Sequence, residues 1–340
     1  MVSHGLKIAI NGFGRIGRIF FRQAIGVPDI EILAINDLGS LENIAYLLKY
    51  DSVYGRFEKE IKIKNGILIV DGRKIKFFSE KDPGRLPWKE LGIDVVVEST
   101  GVFDSYEKAE PHLKAGAKRV VITAPAKDSG LTKTATPNVG VDFLKTGLIT
   151  SNASCTTNAV TPVAAVMMQN PGVKKAILNT AHGYTATQGI VDGPAGKDFR
   201  RGRAAGANII PSSTGAGEAA VKAIPALKGK FDGVAIRVPV ISGSLADFTF
   251  LAERKTSAKE INDIFRAAAA EPAWQGILTV TEEPLVSSDI LRQPFGAIVD
   301  LAMTRVVDGD LVKVFSWYDN EWGYGAMLLK HVEALKTLLL

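Results

Sequence analysis

The chain opens with an apolar run, Leu6–Ile10, short enough for one buried strand. Gly12-Phe13-Gly14-Arg15-Ile16-Gly17 follows. Residues 18–25 then carry a helical pattern, and Ile30–Ile35 form a second apolar strand ending at Asn36-Asp37. Strand, glycine turn, helix and strand make a βαβ unit. Residues 41–49 read as a helix. The period then drops to two: Ile61, Ile63, Ile67 and Ile69 alternate around Asn65-Gly66, and Asp71-Gly72 precedes Ile75 and Phe77. Asn-Gly and Asp-Gly between alternating runs predict tight antiparallel hairpins. Strands at 94–98 and 119–123 flank a helix at 105–115, and 148–150 closes the series. Helices alternating with apolar strands predict a Rossmann-type, doubly wound parallel α/β sheet.

Beyond residue 155 the texture changes. A helix over 156–169 and a strand over 176–181 precede residues 183–215, which are rich in Gly, Ala, Arg and Ser and have little periodicity. A loop of that length is either functional or conceals an element that the pattern does not show. Strands at 231–238, 244–253, 297–306 and 311–318 and a helix at 258–270 predict an α+β domain with a mainly antiparallel sheet. An apolar helix ends the chain from Tyr324. The expected division is 1–154 as a dinucleotide-binding domain, completed by 320–340, and 155–319 as a catalytic domain.

The chain has 340 residues, 46% of them hydrophobic and 23% charged, which suits a globular protein of two domains. It carries no apolar run long enough to span a membrane, and its first residues have neither a signal region nor a cleavage site, so a cytoplasmic protein is expected. A single cysteine excludes an internal disulfide and any Cys-rich metal site; no metal is expected. Asn152-Ala153-Ser154 is a chance glycosylation sequon in that setting. The net charge of +5 fits either anionic small substrates or nucleic acid. The Lys and Arg residues are dispersed, which favours the former.

The glycine turn has the order a dinucleotide site needs. Gly12 permits the tight turn, Gly14 lets backbone approach a pyrophosphate, and Gly17 allows close packing of helix and strand. Asp37, placed after the second strand, is the carboxylate expected to grip the adenosine ribose. It would repel a 2′-phosphate, so NAD is favoured over NADP. Cys155 lies in Ser151-Asn152-Ala153-Ser154-Cys155-Thr156-Thr157-Asn158, where small polar residues mark a helix start. A thiol there is expected to have a lowered pKa and act as a nucleophile; the alternative is a buried, inert cysteine. A base should stand near it. Of four histidines, His4 lies in the tail, His112 in a surface-like helix and His331 in the last helix, which leaves His182 by elimination. A thiolate, an imidazole and a nicotinamide cofactor together can oxidise an aldehyde through a thiohemiacetal and a thioester.

Several segments resemble phosphorylating glyceraldehyde-3-phosphate dehydrogenases: residues 11–18, Lys49-Tyr50-Asp51-Ser52-Val53, 151–158, Thr185-Ala186-Thr187-Gln188, 281–289 and Trp317-Tyr318-Asp319-Asn320-Glu321-Trp322-Gly323-Tyr324. The resemblance spans nearly the whole chain. It implies that Cys155 and His182 are catalytic. It implies that Thr185 and Arg237 hold the substrate's phosphate, and that Ser154, Thr156, Thr214 and Gly215 hold inorganic phosphate. Arg15, Ile16, Asp37, Thr123 and Asn320 would contact NAD, Asn320 at the nicotinamide carboxamide. Residues 183–206 would form a loop reaching a neighbouring subunit's cofactor site, the last helix would fold back onto the first domain, and the assembly would be a homotetramer.

Arg237 also makes sense alone, since a cation at a strand end needs an anion, either phosphate or a structural carboxylate. Thr214 before Gly215 suits an anion-binding helix start or a plain cap. The chain departs from the family at Ala159, where a second cysteine is common, and across 129–147, where Gly140-Val141-Asp142 replaces Gly-Val-Asn. Gly193-Pro194 keeps the proline that NAD users place near the adenosine. Two alternatives stay open: an erythrose-4-phosphate dehydrogenase that releases its thioester with water, and a nucleic-acid-binding protein on a nucleotide fold.

Overall fold

The computed structural model describes residues 5–128, 147–196 and 198–339. His4 and Gly140-Val141-Asp142 lie outside them. The described chain divides into two compact units, one comprising 5–128, 147–153 and 328–339, the other 154–327.

In the first unit, β1 (Leu6–Asn11), α1 (Arg15–Ala24), β2 (Ile30–Asn36) and α2 (Leu41–Lys49) form the predicted βαβ unit and its following helix. The meander is β3 (Ile61–Lys64), β4 (Ile67–Val70) and β5 (Arg73–Phe78). Asn65 and Asp71 have φ of +52° each, and Gly66 and Gly72 have φ of +73° and +78°. Two positive-φ residues in a row are what a two-residue hairpin loop matched to strand twist requires. The short α3 (Trp88–Leu91), β6 (Val95–Glu98), α4 (Tyr106–Lys114), β7 (Arg119–Ile122) and β8 (Ile149–Ser151) complete the unit. The sheet order is β3-β4-β5-β2-β1-β6-β7-β8, parallel from β5 to β8, so the meander extends one edge.

Both faces of the central strands are buried. Ile8, Ile10, Val95 and Val97 join one core cluster, and Ala9, Val96 and Val120 join another. Burying each such Ile or Val stabilises the unit by about 1.5–3 kcal/mol, and this double burial explains why these strands lack polar alternation. Ser40 and Ser105 cap α2 and α4 by accepting from the amides of Asn43 and Lys108.

The second unit contains α5 (Cys155–Gln169), β9 (Val173–Gly183), β10 (Ile210–Ser213), α6 (Ala216–Ala223), β11 (Phe231–Val238), β12 (Ser244–Ala252), α7 (Ala258–Ala270), β13 (Leu278–Thr281), β14 (Ala297–Val307) and β15 (Leu311–Tyr318). Its sheet runs β10-β11-β9-β12-β15-β14-β13. It is mainly antiparallel, with parallel pairing of β11 to β9 and of β13 to β14. Leu178, Phe248, Phe250 and Val314 pack with Val163 and Met167 of α5 and Phe265 of α7. β12 alternates buried and half-buried positions along its whole length. The helix α8 (Trp322–Ala334) follows β15. Its Met327 belongs to the core of the second unit and its Leu328 and Val332 to that of the first.

The sequence pattern misses α3, β10 and β13, and of α6 it marks only the start at Gly215. The described residues of 183–215 are held by bonds rather than by an apolar face: Arg201 donates to Ser212 Oγ, Arg203 pairs with Asp192, and the amide of Gly189 donates to the carbonyl of Arg201. Among the described residues no helix is long and apolar enough to cross a membrane.

Candidate active site and cofactor cavity

α5 starts at Cys155 because Ser154 caps it, its Oγ accepting from the amide of Thr157 at 3.0 Å. The preceding Ala153 has φ of +52°, a left-handed backbone that costs an alanine about 1 kcal/mol. Such strain persists where neighbours over-determine it. Here the amide of Ala153 donates to Ser151 Oγ, Ser151 Oγ donates to the carbonyl of Ala124, and the amide of Asn152 donates to the carbonyl of Ile122.

His182 lies in β9, and its Nε2 is 3.3 Å from Cys155 Sγ. Its register partner on β11 is Arg237, whose Nη1 lies 2.7 Å from His182 Nδ1 and donates to the carbonyl of Gly183 at 3.1 Å. That carbonyl also lies 2.7 Å from Nδ1. Cys155, His182 and Arg237 are thus brought together by one helix start and two adjacent strand ends.

The electrostatics correct one expectation. Burial pushes the Cys155 thiol up, and this outweighs the lowering by Arg237 and by Thr156 and the amides at the helix start. The helix terminus acts in the predicted direction but loses to desolvation. Burial, with Arg237 adding to it, lowers His182 to about 3. Both shifts favour a resting pair of neutral thiol and neutral imidazole.

Behind the pair lies a residue the sequence reading missed. The Tyr318 hydroxyl is 2.9 Å from both Thr156 Oγ1 and Thr180 Oγ1, and its ring stands edge-on to His182 with centroids 6.0 Å apart. Burial raises the phenol well above its ordinary range, so it stays protonated. Strand alternation in β15, which buries every second residue, is the signal that turns Tyr318 inward.

The remaining expected phosphate residues are spread over nearby loops. Thr185 Oγ1 bonds to Thr187 Oγ1, and Thr185 lies two residues beyond the end of β9. Thr214 Oγ1 accepts from the amide of Ala216, and the exposed Gly215 caps α6 without a side chain. These contacts make Thr214 a local cap as well as a candidate anion ligand. The buried Nε of Arg237 has no hydrogen-bond partner among the described residues, and a buried charged donor left unpaired is costly. Asn320 is buried and its Oδ1 accepts from Ser244 Oγ at 2.7 Å.

In the first unit, a cavity of about 490 Å³ is lined by Asn11, Gly12, Gly14, Asp37, Thr100 and Phe103, among others. Its size is that of a small-molecule site. A Cβ on Gly12 would come within 2.6 Å of the amide nitrogen of Thr100, and one on Gly17 within 2.3 Å of the carbonyl of Gly12. A Cβ on Gly14 would meet nothing within 4 Å. Gly12 and Gly17 therefore serve close packing, whereas Gly14 faces open space at the start of α1, a helix end with no side-chain cap. Uncapped N–H groups beside an open glycine are what a pyrophosphate requires.

Asp37 Oδ2 accepts from the amide of Phe13 at 2.7 Å and Oδ1 from that of Gly39 at 2.8 Å, which fixes the carboxylate at the cavity. The residues present thus fit a dinucleotide. Arg15 ion-pairs with Asp51, Ile16 packs at the edge of the core, and the amide of Thr123, just past β7, donates to the carbonyl of Glu98.

His112 is the second correction. It is fully buried rather than on a surface face, between Trp88 and Glu98. Among the described residues no group of three His, Cys, Asp or Glu side chains could hold a metal ion.

A dinucleotide-type sheet joined to a unit with a cysteine–histidine pair defines an NAD-dependent oxidoreductase. Residues 6–106 match the family described as "Glyceraldehyde 3-phosphate dehydrogenase, NAD binding domain" and 154–320 match "Glyceraldehyde 3-phosphate dehydrogenase, C-terminal domain". The chain belongs to the glyceraldehyde-3-phosphate dehydrogenase family. It is 47% identical over 326 residues to glyceraldehyde-3-phosphate dehydrogenase 2 of Streptomyces avermitilis, covering 95% of this chain and 96% of that one. The enzyme of Zymomonas mobilis is 46% identical over 337 residues, covering 98% and 99%, and that of Clostridium pasteurianum 47% over 332 residues, covering 96% and 97%. None of these names erythrose 4-phosphate or nucleic acid, so the two alternatives are not favoured.

Proposed function

We propose that the chain oxidises glyceraldehyde 3-phosphate to 1,3-bisphosphoglycerate with Cys155 as nucleophile and His182 as base. The observation that carries this reading is the 3.3 Å approach of Cys155 Sγ to His182 Nε2, with Arg237 beside the same ring. In the tautomer whose Nδ1–H donates to the carbonyl of Gly183, Nε2 faces the thiol with its lone pair. Sulfur bonds to the aldehyde carbon as the thiol proton passes by way of Nε2 to the carbonyl oxygen, giving a thiohemiacetal; Nε2, neutral again, takes the hydroxyl proton when the hydride leaves. Bound NAD supplies the hydride acceptor that turns this adduct into a thioester. Inorganic phosphate then displaces the Cys155 thiolate and leaves as the acyl phosphate.

Arg237 and Thr185 hold the substrate's phosphate. Burial is the larger cause of the low His182 value, but an anion there would pair the orphaned Nε of Arg237 and offset the arginine's share, so substrate binding strengthens the base. Ser154, Thr156, Thr214 and Gly215 receive inorganic phosphate at two helix starts. Gly12, Gly14, Gly17, Arg15, Ile16, Asp37 and Thr123 hold NAD. Asn320, whose Oδ1 accepts from Ser244 Oγ, would offer its amide N–H to the carboxamide of NAD.

A cytoplasmic homotetramer is the assembly that the family resemblance implies. Exposed apolar side chains in the second unit support an assembly: Ile190 is 90% exposed and Phe199 82%, and Ile177 and Val234 stand on the open face of the sheet. Purified chain given NAD, glyceraldehyde 3-phosphate and phosphate should form NADH, and Cys155→Ser should not. Equal rates for the two would reject the reading.

A further inference from the structure

Behind the cofactor cavity lies a buried polar chain that the chemistry above does not use. The Glu98 carboxylate, at the end of β6, is 2% exposed. Its Oε1 accepts from the amide of Thr100 at 2.9 Å and from Thr100 Oγ1 at 2.5 Å. Its Oε2 accepts from Asn11 Nδ2 at 2.5 Å and from His112 Nε2 at 3.0 Å. Four donors converge on one buried carboxylate, so both of its oxygens are held in place. The donor from His112 is not optional. Its Nδ1 accepts the indole N–H of Trp88 at 3.0 Å, and an imidazole with Nδ1 so occupied carries its proton on Nε2.

The chain continues away from the imidazole. Asn11 Oδ1 accepts from Asn36 Nδ2 at 2.7 Å, while Asn36 Oδ1 accepts from the amide of Glu80 and Asn36 Nδ2 donates to the Glu80 carbonyl, each at 2.9 Å. Asn11, Asn36, Glu80 and Thr100 all line the cavity. They sit at or just beyond the ends of β1, β2, β5 and β6, so the network ties together the strand ends that make the cavity floor. Thr100 adds a constraint on the glycine turn. Its Oγ1 accepts from the amide of Val102, and its backbone abuts Gly12, where a Cβ would be 2.6 Å away. Ser99 Oγ donates to the carbonyl of Gly12 at 2.6 Å.

We infer that Glu98, oriented by His112, is a positioning residue for the dinucleotide: it sets Thr100 and Asn11 against the glycine turn and so fixes the shape of the adenosine half of the site. The inference rests on the reading of this cavity as the adenosine site.

Glu98→Gln keeps the shape but puts an amide N–H₂ against one pair of donors. His112→Leu removes the Nε2 donor and leaves the indole N–H of Trp88 unpaired. His112→Gln also disturbs Trp88 but returns an N–H at the reach of Nε2. NAD affinity measured by calorimetry on the full chain is expected to fall roughly tenfold in Glu98→Gln and His112→Leu. It should recover in His112→Gln, with kcat at saturating NAD and KM for the aldehyde near wild type in all three. A merely structural role would lower the melting temperature of both His112 variants and leave NAD affinity alone. Folded His112→Leu with wild-type NAD affinity overturns the inference, as does equal loss in His112→Gln, and His112→Leu decides the matter if Glu98→Gln does not fold. Asp37→Ala separates the two levels: no effect of Asp37→Ala on NAD affinity rejects the cavity as the adenosine site, whereas loss in Asp37→Ala without loss in His112→Leu rejects the role of Glu98 alone.

Discussion

Arg237 Nη1 lies 2.7 Å from His182 Nδ1, on the ring nitrogen away from the one that faces Cys155. A guanidinium so placed opposes protonation of the ring and is among the causes that bring it to about 3. Arg237→Leu removes that cause, so the folded-state pKa of His182 should rise toward its ordinary value. The acidic limb of the pH–rate profile should move to higher pH, and KM for the phosphorylated aldehyde should increase. A limb that stays in place in the pH profile of kcat/KM, which reports the free enzyme, would show that the arginine does not tune the base.

His182→Asn retains a small polar side chain but cannot reach Cys155 Sγ with a ring nitrogen. Its kcat should fall by roughly 10²–10⁴-fold, the usual worth of a positioned acid–base group. NAD affinity should be preserved. Steady-state kinetics with a separate NAD titration check both parts.

The two glycines of the turn should fail differently. A methyl at Gly17 would stand 2.3 Å from the carbonyl of Gly12, so Gly17→Ala is expected to cost about 1–3 kcal/mol of stability through overpacking. Gly14→Ala has open space around the new methyl and should leave stability unchanged while weakening NAD binding. Urea unfolding and calorimetric titration of both variants separate the effects, and equal destabilisation would count against this division.

Acid should destabilise the first unit partly through His331. This ring is fully buried; the Thr150 hydroxyl meets its Nε2 at 2.9 Å, and Asn152 Oδ1 lies 3.2 Å from its Nδ1. Burial lowers it to about 3. Above about pH 6.5 the ring is neutral folded or unfolded and exacts no penalty. As pH falls from there toward 3, only the unfolded chain takes up the proton. Stability should drop by about 1.4 kcal/mol per pH unit from this group, until the folded ring also protonates. His331→Leu should reduce the slope of unfolding free energy against pH between 6 and 4 by about one proton's worth. An unchanged slope would mean the ring protonates equally in both states.

Much of the fold is legible along the chain because local rules and tertiary packing agree. Ile8, Ala9 and Ile10, and Val95, Val96 and Val97, are apolar at successive positions because both faces of their sheet are covered. Asn65-Gly66 and Asp71-Gly72 announce their hairpins through the positive φ they tolerate. Leu278–Thr281 is too short for its period to stand out, and α6 is an eight-residue helix, rich in alanine, with a weak pattern. His112 misleads for a different reason. Glu107, Lys108, Glu110 and Lys114 make its helix look solvated on every side, and only Trp88 and Glu98, distant in sequence, reveal the buried face.

At the candidate site, the contact of Cys155 with His182 was readable from residue type and elimination. The state of the thiol was not, because it depends on desolvation and on Arg237, a residue of another strand. Tyr318 was likewise hidden, since a buried hydroxyl bonded to Thr156 and Thr180 leaves no local mark beyond strand alternation.

The central claim is that Cys155 carries the acyl group until phosphate removes it. NADH formation followed from the moment of mixing, with glyceraldehyde 3-phosphate and NAD but without phosphate, tests it most directly, with erythrose 4-phosphate run in parallel. The account predicts a burst stoichiometric with chains, then near arrest, steady turnover on adding phosphate, and a higher kcat/KM for the three-carbon aldehyde. Sustained turnover without phosphate, or a burst that survives in Cys155→Ser, would contradict it.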